Sequence, residues 1–119
     1  FKSDPDEFTF VAHAYDAAWL VFYGAAWAVG HDHALSGTPI ARGLRHLSAG
    51  ADVEVAPANW KQIRDALAGG QSVNLTGASG SLDYDPATEE TTGLVDIWKI
   101  SSDGTQIQTV TTIDPRAAP

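Results

Sequence analysis

The stretch from Tyr15 to Val29 constrains this chain more than any other. Tyr15, Trp19, Phe22, Ala26 and Val29 fall on one helical stripe, and Leu20, Tyr23 and Trp27 on a second that diverges from it. Such a helix is apolar round most of its circumference and needs cover on more than one side. Its apolar part, from Ala17 to Val29, is shorter than the ~20 residues of a membrane span, and His13 and Asp16 stand at its mouth. The expectation is a buried helix. Asp4-Pro5-Asp6-Glu7 supplies a start for it, with Asp4 as cap, Pro5 at the first helical position and the acidic residues at the positive end of the dipole.

Beyond Val29, Gly30-His31-Asp32-His33 is expected to end the helix in a polar loop. Thr38-Pro39 then opens a second helix through Ile40, Leu44 and Leu47, which Gly50 stops. Asp52 to Pro57 is extended, and Asn59 is placed to cap a third helix from Trp60 to Ala68 that Gly69-Gly70 terminates. Three helices are therefore expected before any strand pairing. In Val73 to Asp85, two short extended runs flank a turn bracketed by Gly77 and Gly80, with Leu75, Leu82 and Tyr84 facing a core and Asn74, Ser81 and Asp83 facing water. A polar loop follows to Gly93. Leu94 to Ile100 alternates at period two, Asp103-Gly104 is a hairpin turn, and Gln106 to Ile113 is the partner strand. Residues 114–119 read as a tail.

Composition removes several classes of function. At 119 residues one modest core is expected, since a chain of this size buries roughly two-thirds of its unfolded surface. Seven basic and 15 acidic side chains give a net charge of -8 with no basic cluster, which argues against nucleic acid and anionic lipid as partners. The absence of cysteine excludes disulfides, thiolate metal sites and cysteine nucleophiles. The chain opens on Phe1, contains no methionine and shows no charged-then-apolar leader, so it reads as an excised or processed piece.

Taken in order, Tyr15-Asp16-Ala17-Ala18, Trp60 with Leu67-Ala68-Gly69-Gly70, the run Val73 to Asp85, and Val95-Asp96-Ile97-Trp98 resemble the C-terminal third of type I periplasmic solute-binding proteins of the branched-chain amino acid class. The resemblance covers about Phe8 to Ile107. It implies an α/β fold present only in its C-terminal part: about three helices followed by three to four short strands, with residues 1–70 returning to the first lobe and residues 71–113 carrying the last hinge strand. It implies a periplasmic or extracytoplasmic location, with lipid anchoring of the parent as one option, and capture of an amino acid or similar small solute for an ATP-driven importer. The partners would be that solute and the importer's permease. Phe10 and Tyr15 are the positions it offers as ligand contacts, with ordinary packing as the competing reading for each, and Ile97 and Trp98 as hinge elements. No cofactor, metal or catalytic residue is implied. Because most of the family's parallel sheet would be missing, the fragment is expected to self-associate, burying Trp19, Phe22, Tyr23 and Trp27 between copies.

Other chemistry is weaker. His31, Asp32 and His33, with His46 or His13, supply zinc-type ligands but lack the i, i+4 spacing, so a solvated loop is the simpler reading. Asp83, Asp85, Glu89 and Glu90 depart from the calcium-loop pattern at Pro86. Ser79 fails the nucleophile-elbow pattern because Ser81 replaces its final glycine. Asp16 is expected to cap or brace a neighbouring segment, and Asn74-Leu75-Thr76 is an incidental glycosylation triplet. The alternative to a solute-binding segment is a free-standing interaction module that docks through its aromatic helix.

Overall fold

The computed structural model describes residues 10–85, 87–88, 90–91 and 93–117. The long helix, α1, spans Val11–His31. Phe10, its N-cap, holds left-handed angles (φ 69°) that no residue of a right-handed helix adopts, so the helix begins after it. Asp4 to Glu7, the expected start, lie outside the described residues. Only one of the two stripes is covered. Tyr23 and Ala28 are fully buried, and Trp27 and Asp16 almost so, whereas Tyr15, Phe22 and Val29 remain exposed. Tyr23 and Trp27, expected between copies, are thus buried within a single chain.

Cover comes from two further helices, α2 (Gly37–Leu44) and α3 (Trp60–Ala68), both packed against α1. At the α1–α2 crossing the backbones touch: a methyl group on Gly43 would lie 2.6 Å from the Gly24 carbonyl oxygen. α2 stops earlier than Leu47. Arg45, His46 and Leu47 each donate to the carbonyl three residues back, tightening the last turn, and the chain then swings toward the sheet. There the His46 and Leu47 carbonyls accept from Val73 and Leu75, and Leu47 enters the core at 1% exposure.

Strand β1 (Ala51–Glu54) falls in the run expected to be extended and precedes α3, so the order of three helices followed by the strands is corrected. It pairs in parallel with β2 (Val73–Gly77), and α3 forms the crossover between them. Val53, Val55, Val73 and Leu75 bury their side chains with Ile63 and Leu67 of α3 and Tyr23 and Trp27 of α1 in one cluster, which Leu47 and Leu82 complete. Asn59 does not cap α3. Its side chain donates instead to the Glu54 carbonyl at 2.9 Å, fixing the turn between β1 and the helix.

β2 folds back into β3 (Gly80–Ser81), with Gly77 opposite Gly80, as the glycine-bracketed turn requires. The expected polar loop contains a minimal ladder, β4 (Tyr84–Asp85) against β5 (Glu90–Thr91). A separate antiparallel ribbon follows, β6 (Val95–Ile100) with β7 (Ile107–Ile113). Its turn is the one expected: Gly104 has φ 73° and the Asp103 carboxylate accepts the Thr105 amide. The pairing slips between Ile97 and Trp98, where Val110 is left without a partner. Every residue of β6 and β7 is exposed. The radius of gyration is accordingly 17.1 Å, against about 13.5 Å for a compact domain of this length. No helix among the described residues is long and apolar enough to cross a membrane.

Candidate functional site

The N-terminal end of α1 is organised by one buried carboxylate. Asp16, at 2% exposure, accepts from the backbone amides of Ala78 (2.9 Å) and Ser79 (2.7 Å) and from the Ser79 hydroxyl (2.6 Å). These donors sit on the turn between β2 and β3. A buried charge is tolerable only when its lone pairs are met in this way. Gly77 is part of the same arrangement, since a Cβ there would overlap the carboxylate group. Asp16 therefore braces the turn, as expected of it, and the Ser79 hydroxyl is committed to the same brace.

Phe10 and Tyr15 lie on this end of the helix without sharing its core. Phe10 is 70% exposed and meets the His13 ring edge-on at 5.6 Å, which removes ordinary core packing as its explanation. Tyr15 is 39% exposed and packs edge-on against Trp19. From Tyr15 an aromatic row continues along α1 and onto α3: Trp19 and Tyr23 stack at 5.5 Å, and Tyr23 stacks on Trp60 at 5.7 Å. Trp19, Phe22 and Trp60 line a shallow apolar cleft of about 250 Å³. Burial, with a smaller effect from Tyr15, pushes the Tyr23 phenol up to about 12.

Two of the histidines, His31 and His46, converge on an indole rather than on a metal position. Trp27 stacks with His31 on one ring contact (4.5 Å) and with His46 on another (4.8 Å), both within 16° of parallel. Among the described residues no three His, Cys, Asp or Glu side chains come together as a metal site. Asp32 instead accepts from His31 (3.2 Å) and from Arg42 (2.6 and 3.0 Å), and these bonds hold its carboxyl below the usual range, His31 contributing most. The His46 Nδ1 pairs with the Ser72 hydroxyl at 3.1 Å. Burial, and then the neighbouring His31 charge, pushes His46 below its ordinary value. Trp27 and His31 are an i, i+4 pair on α1, a spacing visible in the sequence, whereas His46 lies beyond α2 and only the α1–α2 crossing brings it to the indole.

Ile97 and Trp98 stand apart from both groups, on the ribbon, at 45% and 57% exposure and on either side of the slip in pairing. Asn74, in the glycosylation triplet, is on β2 and donates to Asp52 Oδ1 at 2.8 Å across the parallel pair. Asp85 accepts the Ala87 amide at 2.7 Å, as a surface turn does, and Glu89 lies outside the described residues. Comparison with protein-family models, with curated proteins and with solved structures gave no match.

Proposed function

We propose that this chain is the C-terminal segment of a two-lobed, extracytoplasmic solute-binding protein that captures an amino acid or similar small polar solute and delivers it to an importer's permease. One arrangement supports the reading above all others. A parallel β1–α3–β2 unit is braced to α1 through Asp16, and from it emerges a ribbon with no core of its own, irregular at Ile97 and Trp98. A strand pair that leaves one lobe for another has this form, and a slip in its ladder is where an angular change is absorbed most easily. In this reading Phe10, exposed at the mouth of α1, and Tyr15 below it contribute to one wall of the solute cleft. Closure of the lobes is the working step, so no bond is made or broken and no metal or cofactor takes part.

The test is a thermal-shift panel on the product of the whole reading frame, with the twenty amino acids and related small polar solutes. A true ligand raises the melting temperature in a concentration-dependent way, worth about 2.7 kcal/mol at a hundredfold excess over its Kd. Phe10→Ala then weakens that ligand about tenfold. A panel without any shift overturns the ligand class. The cleft of Trp19, Phe22 and Trp60 favours a second reading, an interaction module that docks through α1. A reading frame that begins next to Phe1 would favour it.

A further inference from the structure

The side of α1 turned away from Tyr23 and Trp27 is apolar from one end to the other. Val11, Tyr15, Ala18, Phe22 and Val29 are exposed there, and Ala25 is half-buried. Asp16 is the only Asp, Glu, Lys or Arg in the helix, and it is buried. A helix that faces water normally carries charge on that face, and a long apolar one marks a contact surface. The spacing says what covers it. Tyr15, Phe22 and Val29 repeat every seven residues, and Val11, Ala18 and Ala25 repeat every seven between them, which are the two interleaved rows of a coiled-coil seam. Two such helices laid parallel set like against like, Phe22 on Phe22 and Ala18 on Ala18, which crowds one layer and empties the next. Laid antiparallel, each row meets the other. About a two-fold axis between Ala18 and Phe22, Tyr15 of one copy faces Ala25 of the other, Phe22 faces Ala18, and Val29 faces Val11, each pair occurring twice. Large then meets small in the central layers and valine meets valine at both ends, the alternation that lets facing layers interdigitate.

We propose that a second copy of this chain packs on this seam, α1 against α1, antiparallel and with two-fold symmetry. The residues that flank the seam, Ala14, Trp19, Val21 and Ala26, carry no charge. The repulsion between two chains of net charge -8 therefore falls outside the contact, and no charge at the rim selects a different helix as partner. Neither lysine nor arginine stands on α1 to meet lipid headgroups, as a helix lying on a membrane requires. The area is sufficient. With about 150–200 Å² for each fully exposed apolar side chain, the 39–57% exposure of Val11, Tyr15, Val21, Phe22 and Val29, together with the alanines, brings two copies to about 1,000 Å², the lower end for a specific interface. An interface of that size holds at micromolar rather than nanomolar concentration. The inference concerns the 119-residue chain and stands without the solute-binding reading, in which Tyr15 has a different neighbour.

Sedimentation velocity on that chain at about 100 µM in roughly 0.15 M salt tests it. The expected mass is twice 12.6 kDa. Phe22→Glu buries a carboxylate in the seam twice and should weaken association at least tenfold. Phe22 is 57% exposed, so the variant keeps its fold, which circular dichroism reports. Ile107→Glu, on the ribbon, should leave the dimer intact. The register is read by cross-linking, because the chain has no cysteine of its own. Ala18→Cys mixed with Phe22→Cys at the same concentration should oxidise to a mixed disulfide dimer, and neither variant by itself should do so, since only the unlike positions face each other. A single-chain mass for the unaltered protein overturns the proposal. A dimer that survives Phe22→Glu, or one that Ile107→Glu dissolves, overturns it equally. Cysteine variants that give no mixed product, or that each cross-link to themselves, overturn the antiparallel seam.

Discussion

At the scale of single residues, Asp16 carries more consequence than any other side chain in α1. Removing its carboxylate by Asp16→Ala leaves the Ala78 and Ser79 amides without their acceptor and should cost about 3 kcal/mol in urea denaturation. Gly77→Ala attacks the same contact from the other side, since its methyl overlaps the carboxylate, and should cost about 2 kcal/mol. The double variant should cost less than the two separately, because Asp16→Ala vacates the space that the methyl needs. Additive losses would show that the turn and the carboxylate are independent. His46 supports a prediction in pH. Its folded pKa is lowered by burial and then by His31, so the unfolded chain binds protons more readily. Stability should be constant above about pH 6.5, fall as pH drops below that value toward the folded pKa, and level off beneath it. Urea midpoints across pH 5 to 8 check this, and His46→Phe, which keeps a ring against Trp27 and cannot titrate, should flatten the fall.

The elements differ in how much of each was legible. The crossing of α1 and α2 depends on two glycines that no periodicity singles out, Gly24 and Gly43, and Gly43→Ala should lower stability by about 2–3 kcal/mol, measured by denaturant midpoint, because the new methyl meets backbone at 2.6 Å. The β2–β3 turn and the β6–β7 hairpin are visible in sequence because Gly77, Gly80 and Asp103-Gly104 declare them through local backbone chemistry. The parallel pairing of β1 with β2 is not, since Asp52 to Pro57 shows only an extended run and its partner lies beyond a helix. Nor does the sequence show which stripe of α1 is buried. Both are apolar, and the choice of Tyr23 and Trp27 over Phe22 and Val29 is made by where α2, α3 and the sheet arrive. At the candidate site, the bracing role of Asp16 was legible from residue type, but its partners across more than sixty residues of chain were not. Phe10 likewise shows nothing in sequence of its left-handed backbone.

Across the whole molecule, stability is concentrated in one part. Among the described residues every buried hydrophobic side chain lies between Tyr23 and Leu82, and the core cluster draws on α1, α3, β1, β2 and the segments beside them. The ribbon adds no buried side chain to that core. A two-stranded ribbon without a covered face is marginal in water, so its order derives from the turn at Asp103-Gly104, its own cross-strand pairs and whatever strand or surface it meets. Deleting residues 94–119 should therefore leave the helical circular dichroism unchanged and move the melting temperature of the remaining body by no more than a few degrees, the range of about 1 kcal/mol in a domain of this size. Amide exchange in the intact chain should agree, with β6 and β7 opening at much lower free energy than β2. The reverse outcome, a body that melts with the ribbon removed, would mean that the ribbon supports the core through contacts the exposed faces of β6 and β7 do not show.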